Sequence, residues 1–193
     1  MNEEVACEMI KHIAAVWAEE LVSRRFLVVF GSEKHHYEQL TIMKHHLLHL
    51  TGVSTQLSAD DFFQKAADGS LQPTQFSISE SAMKDKLLPL YRSPNFLLSA
   101  NKIGKSRENR IYLSFAFALG PTPCLVFSKE GGQRIAFPKS MMNIPLVKLT
   151  KDIQDIKAVF WKPIASKEPY SAENQVVIRN GFAREQFPFP ILA

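Results

Sequence analysis

Apolar residues recur at helical spacing over residues 3–22, where Val5, Met9, Ile13, Trp17 and Leu21 stand four apart with Ile10 and Ala14 beside them. One face of a helix collects such positions, so the spacing predicts an amphipathic helix ended by Ser23-Arg24-Arg25. Phe26-Leu27-Val28-Val29-Phe30 is a compact apolar run closed by Gly31-Ser32, which predicts a buried strand. Residues 33–37 read as a polar turn. Beyond it the pattern fits two elements. Glu38–Lys44 places Leu40 and Ile42 on one face as a strand does, and 37–50 also fits a helix; period alone does not choose between them.

Ser58 before Asp60-Asp61 is a helix N-cap signal, with Phe62–Ala67 as the short helix that follows. Residues 73–76 read as a turn. Ser81–Tyr91 has Met83, Leu87 and Leu90 on one face, and Pro89 predicts a kink or an end there. Ser99–Asn109 reads as a polar, basic connector. In Arg110–Leu119, Ile111, Leu113, Phe115 and Phe117 alternate with other residues, the clearest strand pattern of the chain. Cys124–Ser128 and Gln133–Phe137 flank Glu130-Gly131-Gly132 as a hairpin, with Phe137-Pro138 as a turn after it. Ile156–Ile164 and Gln175–Arg179 predict two further strands, and Phe187–Pro190 an extended tail. Helices early and strands late predict an α+β fold with N-terminal helices packed on an antiparallel β-sheet. Length favours one domain over 1–193: an N-terminal helix (1–23), a core (24–170) and a C-terminal strand with its tail (171–193).

Composition is that of an ordinary folded domain, 46% hydrophobic and 22% charged. Cys7 and Cys124 are too few for a disulfide framework and read as buried thiols of a reducing compartment. The acidic start lacks the basic segment of a secretory signal, and no apolar run is long enough to span a bilayer, so no membrane partner is expected and the expected location is the cytoplasm. The net charge of +4 is unevenly spread. Residues 1–22 are acidic, whereas 101–150 carry Lys102, Lys105, Arg107, Arg110, Lys129, Arg134, Lys139 and Lys148 against only Glu108 and Glu130. A basic middle suits a phosphate-backbone binder, and it suits equally a solvated basic face.

The candidate chemistry is concentrated in the histidines. His35, His36, His45, His46 and His49 fall in one short segment, three of them directly before Leu50-Thr51-Gly52. Imidazole titrates near neutral pH, which makes the cluster a candidate for proton transfer or metal binding. On a helix His45 and His49 share a face, as in half of a zincin motif, but His46 stands where that motif places its Glu. Plain alternatives are a polar face for His35, His36 and His45, and core packing for Phe115, Phe117 and Phe137. No Walker A, G-x-G-x-x-G or G-x-S-x-G pattern occurs, and no cofactor is implied.

The order of His49-Leu50-Thr51-Gly52-Val53 after a strand, then Phe62-Phe63-Gln64-Lys65-Ala66, then Lys86-Leu87-Leu88-Pro89-Leu90, resembles a nuclease family associated with phages and mobile elements. It is the fourth phage branch of the barnase–EndoU–colicin–RelE superfamily. Phe137–Met142 looks like that family's proline-led segment after a hairpin, and Ile156–Phe160 with Tyr170 looks like its final strand region. The resemblance covers most of 24–170. It implies an α+β nuclease fold with the site on the sheet face and RNA cleavage without metal. His49 matches the family's histidine and Lys86 its lysine. Ser140 stands where Thr or Ser is expected, although Lys139 replaces an expected Asn.

The implied chemistry has His49 or a neighbour take the proton of a ribose 2′-hydroxyl, which attacks the adjacent phosphorus while an acid protonates the departing 5′-oxygen. Lys86 and Arg110 offset phosphoryl charge and Ser140 orients an oxygen. His46, Lys139, Tyr170 and Lys129 are the expected substrate-binding residues. RNA is then the partner, with an inhibitor or host protein as a second kind of partner left open. Two other readings remain: a non-catalytic nucleic-acid- or protein-binding module, and a metal-dependent hydrolase using the histidine cluster.

Overall fold

The stripe of apolar residues at the start of the chain forms α1 (Glu3–Glu20), whose Ala6, Cys7, Ile10, Ile13, Ala14 and Trp17 are buried. Trp17 is held in place because its indole Nε1–H donates to the Pro94 carbonyl at 3.0 Å. The computed structural model describes residues 3–31, 36–106, 116–171, 173–179 and 182. After α1 come β1 (Arg24–Phe30), β2 (His36–Thr41) and α2 (His46–Thr51). The ambiguous segment is thus a strand in its first half and a helix in its second. Next come β3 (Ser54–Thr55), α3 (Ala59–Ala67) and β4 (Phe76–Ser77). Ser58 caps α3 as expected, its side chain accepting the Asp61 N–H at 3.1 Å.

The helix predicted over 81–91 is built in three pieces: α4 (Glu80–Ala82), a π segment (Met83–Leu87) and α5 (Leu88–Arg92). Pro89 does not end it, because it lies in the first turn of α5, where a missing N–H costs little. The wide turn before it lets the Leu88 N–H reach back to the Met83 carbonyl. After α6 (Phe96–Ser99) follow β5 (Lys102–Ser106), β6 (Phe117–Gly120), β7 (Cys124–Ser128) and β8 (Ile135–Met142). The chain then runs through α7 (Leu146–Leu149), β9 (Thr150–Pro163) and β10 (Gln175–Ile178).

The strands do not form the expected antiparallel sheet under a layer of helices. They close in the order β1-β2-β8-β7-β6-β5-β9 and back to β1, a seven-strand barrel, with β10 added on β9. Closure has a local cause: β9 has 14 residues, enough to pair with β5 through Thr150–Asp155 and with β1 through Ile156–Pro163. One seam, β2 to β8, is parallel and short, joining Gln39 to Ile135 and Leu40 to Ala136. Alternation along a sequence marks strands but not their partners, so the ring was not foreseen.

Two local expectations are also corrected. The connector over 99–109 contains β5; its Gly104 lies so close to Thr150 that a Cβ there would sit 2.2 Å from the Thr150 hydroxyl oxygen. Pro138 is no turn residue: it lies inside β8, beside the irregularity in the β7–β8 register. Of the strand predicted over Arg110–Leu119, the described part is strand from Phe117 onward; Arg110, Ile111, Leu113 and Phe115, like His35 and the tail over 187–190, lie outside the described residues.

The core alternates with the strands. Phe26, Val28, Leu40, Phe117 and Phe127 join the buried side chains of α1 and α3 in one cluster. The opposite face of β1 and β9 carries a second cluster of Leu27, Val29, Ala158, Phe160, Tyr170 and Phe182. Among the described residues no helix is long and apolar enough to cross a membrane.

Candidate functional site

The histidine segment is positioned by the break between β2 and α2. His45 and His46 open α2, and Gly52 ends it in the left-handed conformation at φ 70°. His46 is buried, and its Nδ1 accepts the Met43 N–H at 2.9 Å. A ring nitrogen that accepts carries no proton, so the neutral ring is protonated on Nε2. Its ring lies parallel to that of Phe137 in β8, centroids 6.1 Å apart at 10°. Burial pushes the His46 pKa down to about 4, and the neighbouring His45 and His49 charges push it the same way.

His49 lies one turn further along α2 and is exposed. Its Nε2 is 2.6 Å from the Lys139 carbonyl oxygen in β8. A carbonyl only accepts, so Nε2–H donates and Nδ1 is the nitrogen left to exchange a proton. One contact therefore fixes both the orientation and the tautomer of His49. The two elements enclose an open cleft of about 480 Å³ lined by Thr41, Met43, His45, His46, His49, Glu130, Phe137, Pro138 and Lys139.

Of the residues singled out in the sequence, His46, His49 and Lys139 thus meet in one place. Lys86 does not line the cleft but lies against the C-terminal end of α2, at Gly52, three residues past His49: a Cβ on Gly52 would lie 2.8 Å from Lys86 Cδ and 3.2 Å from the Ala82 Cβ. The missing side chain of Gly52 is what lets the Lys86 stem cross the end of α2. Lys86 makes no hydrogen bond or ion pair among the described residues.

The other predicted residues lie elsewhere. Ser140 is part of β8 opposite Val126, and its hydroxyl donates to the Met141 carbonyl at 3.3 Å. Lys129 follows β7 and pairs with Glu38 of β2, tying the hairpin to the parallel seam. Tyr170 is buried against β1 and β9, its hydroxyl donating to Gln39 Oε1 at 3.4 Å, and burial raises its pKa. Glu130, Thr41, Met43 and Phe137 are cleft residues that sequence reasoning missed. Glu130 read only as a turn residue, and nothing in its local sequence points at a helix about eighty positions earlier.

For the metal reading, Nδ1 of His46 is taken by the Met43 N–H, whereas His49 keeps Nδ1 open while its Nε2–H donates to a backbone carbonyl. Among the described residues no three His, Cys, Asp or Glu side chains are grouped to hold a metal ion.

The comparisons with known proteins agree with the resemblance in the sequence. A family model described as phage-Barnase-EndoU-ColicinE5/D-RelE like nuclease4 matches residues 9–177, a span that runs from α1 into β10 and includes every cleft residue. No curated protein and no solved structure gives a match. With the model covering most of the chain, and both the His-Leu-Thr-Gly turn and Lys86 inside the match, this chain belongs to that nuclease family.

Proposed function

We propose that this chain is a metal-independent endoribonuclease in which His49 transfers the proton. The observation that carries the reading is the bond from His49 Nε2–H to the Lys139 carbonyl, at the lip of a cleft wide enough for a nucleotide. It leaves Nδ1 of an exposed imidazole as the exchanging atom, held by the backbone rather than by a mobile side chain. Attack by the ribose 2′-hydroxyl on the adjacent phosphorus needs one group to take a proton and one to give it. His46 does not serve, because its pKa near 4 keeps it neutral at ordinary pH; its Nε2–H is a hydrogen-bond donor only. Glu130 is the carboxylate of the cleft and the natural second member of the pair. Lys139 in the cleft and Lys86 at the end of α2 supply positive charge for the phosphoryl oxygens. The family's phage association fits a nuclease aimed at host or competing RNA.

The test is incubation with single-stranded RNA and matched DNA in excess chelator, comparing the parent with His49→Ala. RNA is expected to be cut to products ending in 2′,3′-cyclic phosphate, and DNA, lacking the 2′-hydroxyl, to stay intact. His49→Ala is expected to be slower by about 100-fold or more. RNA left intact by folded parent protein refutes the enzyme, and RNA bound but uncut assigns the binding module instead.

A further inference from the structure

Arg25 lies in β1 between two direct register partners, Thr41 of β2 and Lys162 of β9. Residues directly opposite on antiparallel strands show their side chains on the same face. Three polar side chains therefore form a row across three strands, each step about 4.8 Å. The row begins in the histidine cleft, because Thr41 lines it.

Two of the three are cations, Lys162 buried and Arg25 half-buried. Lys162 is 3% exposed; its ammonium donates to the Glu168 carbonyl at 2.8 Å and lies 4.9 Å from the centre of the Tyr170 ring. Arg25 is half-buried, makes no hydrogen bond or ion pair among the described residues, and has its Nε buried without a partner. Burial pushes the Lys162 pKa down, the Arg25 charge acts in the same direction, and the exposed Glu168 opposes them. A buried ammonium beside a half-buried guanidinium of like charge costs stability, which an anion arriving at the exposed part of the guanidinium offsets. The planar guanidinium matches the paired oxygens of a phosphate in a way no other side chain does.

We propose that Arg25, with Lys162 beside it, binds a phosphodiester of the polynucleotide in the histidine cleft, a phosphate flanking the one that reacts. The identity of the anion as polynucleotide rests on the nuclease reading and on the continuity of the row with the cleft through Thr41. A free phosphate ion shares the same chemistry, and the experiment separates the two.

The assay measures binding, not cleavage, so that the two readings fail separately. A short labelled oligoribonucleotide is titrated in chelator against full-length protein carrying His49→Ala, with and without Arg25→Gln, over a range of salt. Arg25→Gln is expected to weaken binding by about tenfold, the loss of one charge-assisted contact. The slope of log affinity against log salt is expected to fall by about 0.7, one phosphate contact on a single strand. Arg25→Lys, which keeps the charge and loses the fork, is expected to keep the slope and lose part of the affinity. Unchanged affinity and slope in folded Arg25→Gln overturn the proposal; should that variant not fold, unchanged affinity in Arg25→Lys overturns it. Thermal unfolding in inorganic phosphate against chloride at matched ionic strength provides the second arm. Stabilisation by phosphate that Arg25→Gln abolishes, with the RNA slope unmoved, assigns the site to a free ion and overturns the polynucleotide assignment. A lowered slope together with a parent that cuts nothing supports the phosphate site and removes the catalytic reading alone.

Discussion

Gly52→Ala tests the junction on which the site depends. Gly52 has φ +70°, where an L-residue with a Cβ costs roughly 1–2 kcal/mol. The added Cβ also meets Lys86 Cδ at 2.8 Å, and the lysine stem has to leave its rotamer, about 0.5–1.5 kcal/mol. The Ala82 Cβ at 3.2 Å limits how far the helix can move to make room. Together these give a loss of about 2–3 kcal/mol, or a melting temperature lower by about 4–12 °C for a chain of this size. A double-mutant cycle separates the two terms. In a Lys86→Ala background the clash with Cδ disappears, so Gly52→Ala is expected to cost only the backbone part, with an interaction energy of about 1 kcal/mol. Urea unfolding of the four proteins reads the cycle, and RNA cleavage below the melting range reads displacement of Lys86. Equal costs in the two backgrounds would show that the lysine does not pack over the glycine. A cost of Gly52→Ala below about 0.5 kcal/mol would refute the left-handed turn as well.

Two further outcomes follow from buried titrating groups. The folded pKa of His46, about 4, lies below its ordinary 6.5, so the unfolded chain binds more protons between those values. Stability is then complete above about pH 6.5 and drains away as the pH falls toward 4, by about 2 kcal/mol after discounting for solvent screening. In urea unfolding at pH 7 and 4.5, His46→Gln is expected to lose correspondingly less than the parent; equal losses would remove His46 from the acid response. Cys124 is buried, its thiol pushed up to about 12 by burial and donating to the Ile144 carbonyl at 3.1 Å. Iodoacetamide at pH 8 is expected to leave it unmodified in folded protein and to label it after denaturation, as read by peptide mass; rapid labelling of the folded form would contradict its burial.

What the sequence revealed was local. The four-residue spacing of Val5 to Leu21 set α1, the β-branched run at Phe26–Phe30 set β1, and Glu130-Gly131-Gly132 set the hairpin between β7 and β8. Each signal is complete within a few residues. β5 was missed because Lys102–Ser106 is short and polar with a glycine at its centre, and that glycine makes sense only against Thr150. Neither reading of 37–50 was right alone, because β2 gives way to α2 through a short break that no period describes. The barrel depends on pairings such as Phe26 with Trp161, which leave no mark in either local pattern. The site divides the same way. The histidines were conspicuous by type and spacing, and Lys139 by its place after a proline. Glu130, Thr41 and Arg25 are ordinary in sequence and become informative only through their neighbours across the sheet.

Ring closure also sets an order of events during synthesis. Chains emerge N-terminus first, so β1, β2 and the histidine helix are made long before the strands that pair with them across the ring. His49 gains its carbonyl partner only when Lys139 has emerged, and β1 gains its second neighbour only with the last residues of β9. Contacts this far apart in the chain form late, because the entropy of closing the intervening loop is lost before they return anything. The site is therefore finished only once β8 and β9 have emerged, and a truncated chain lacking both strands holds its histidines on a helix that faces no partner strand.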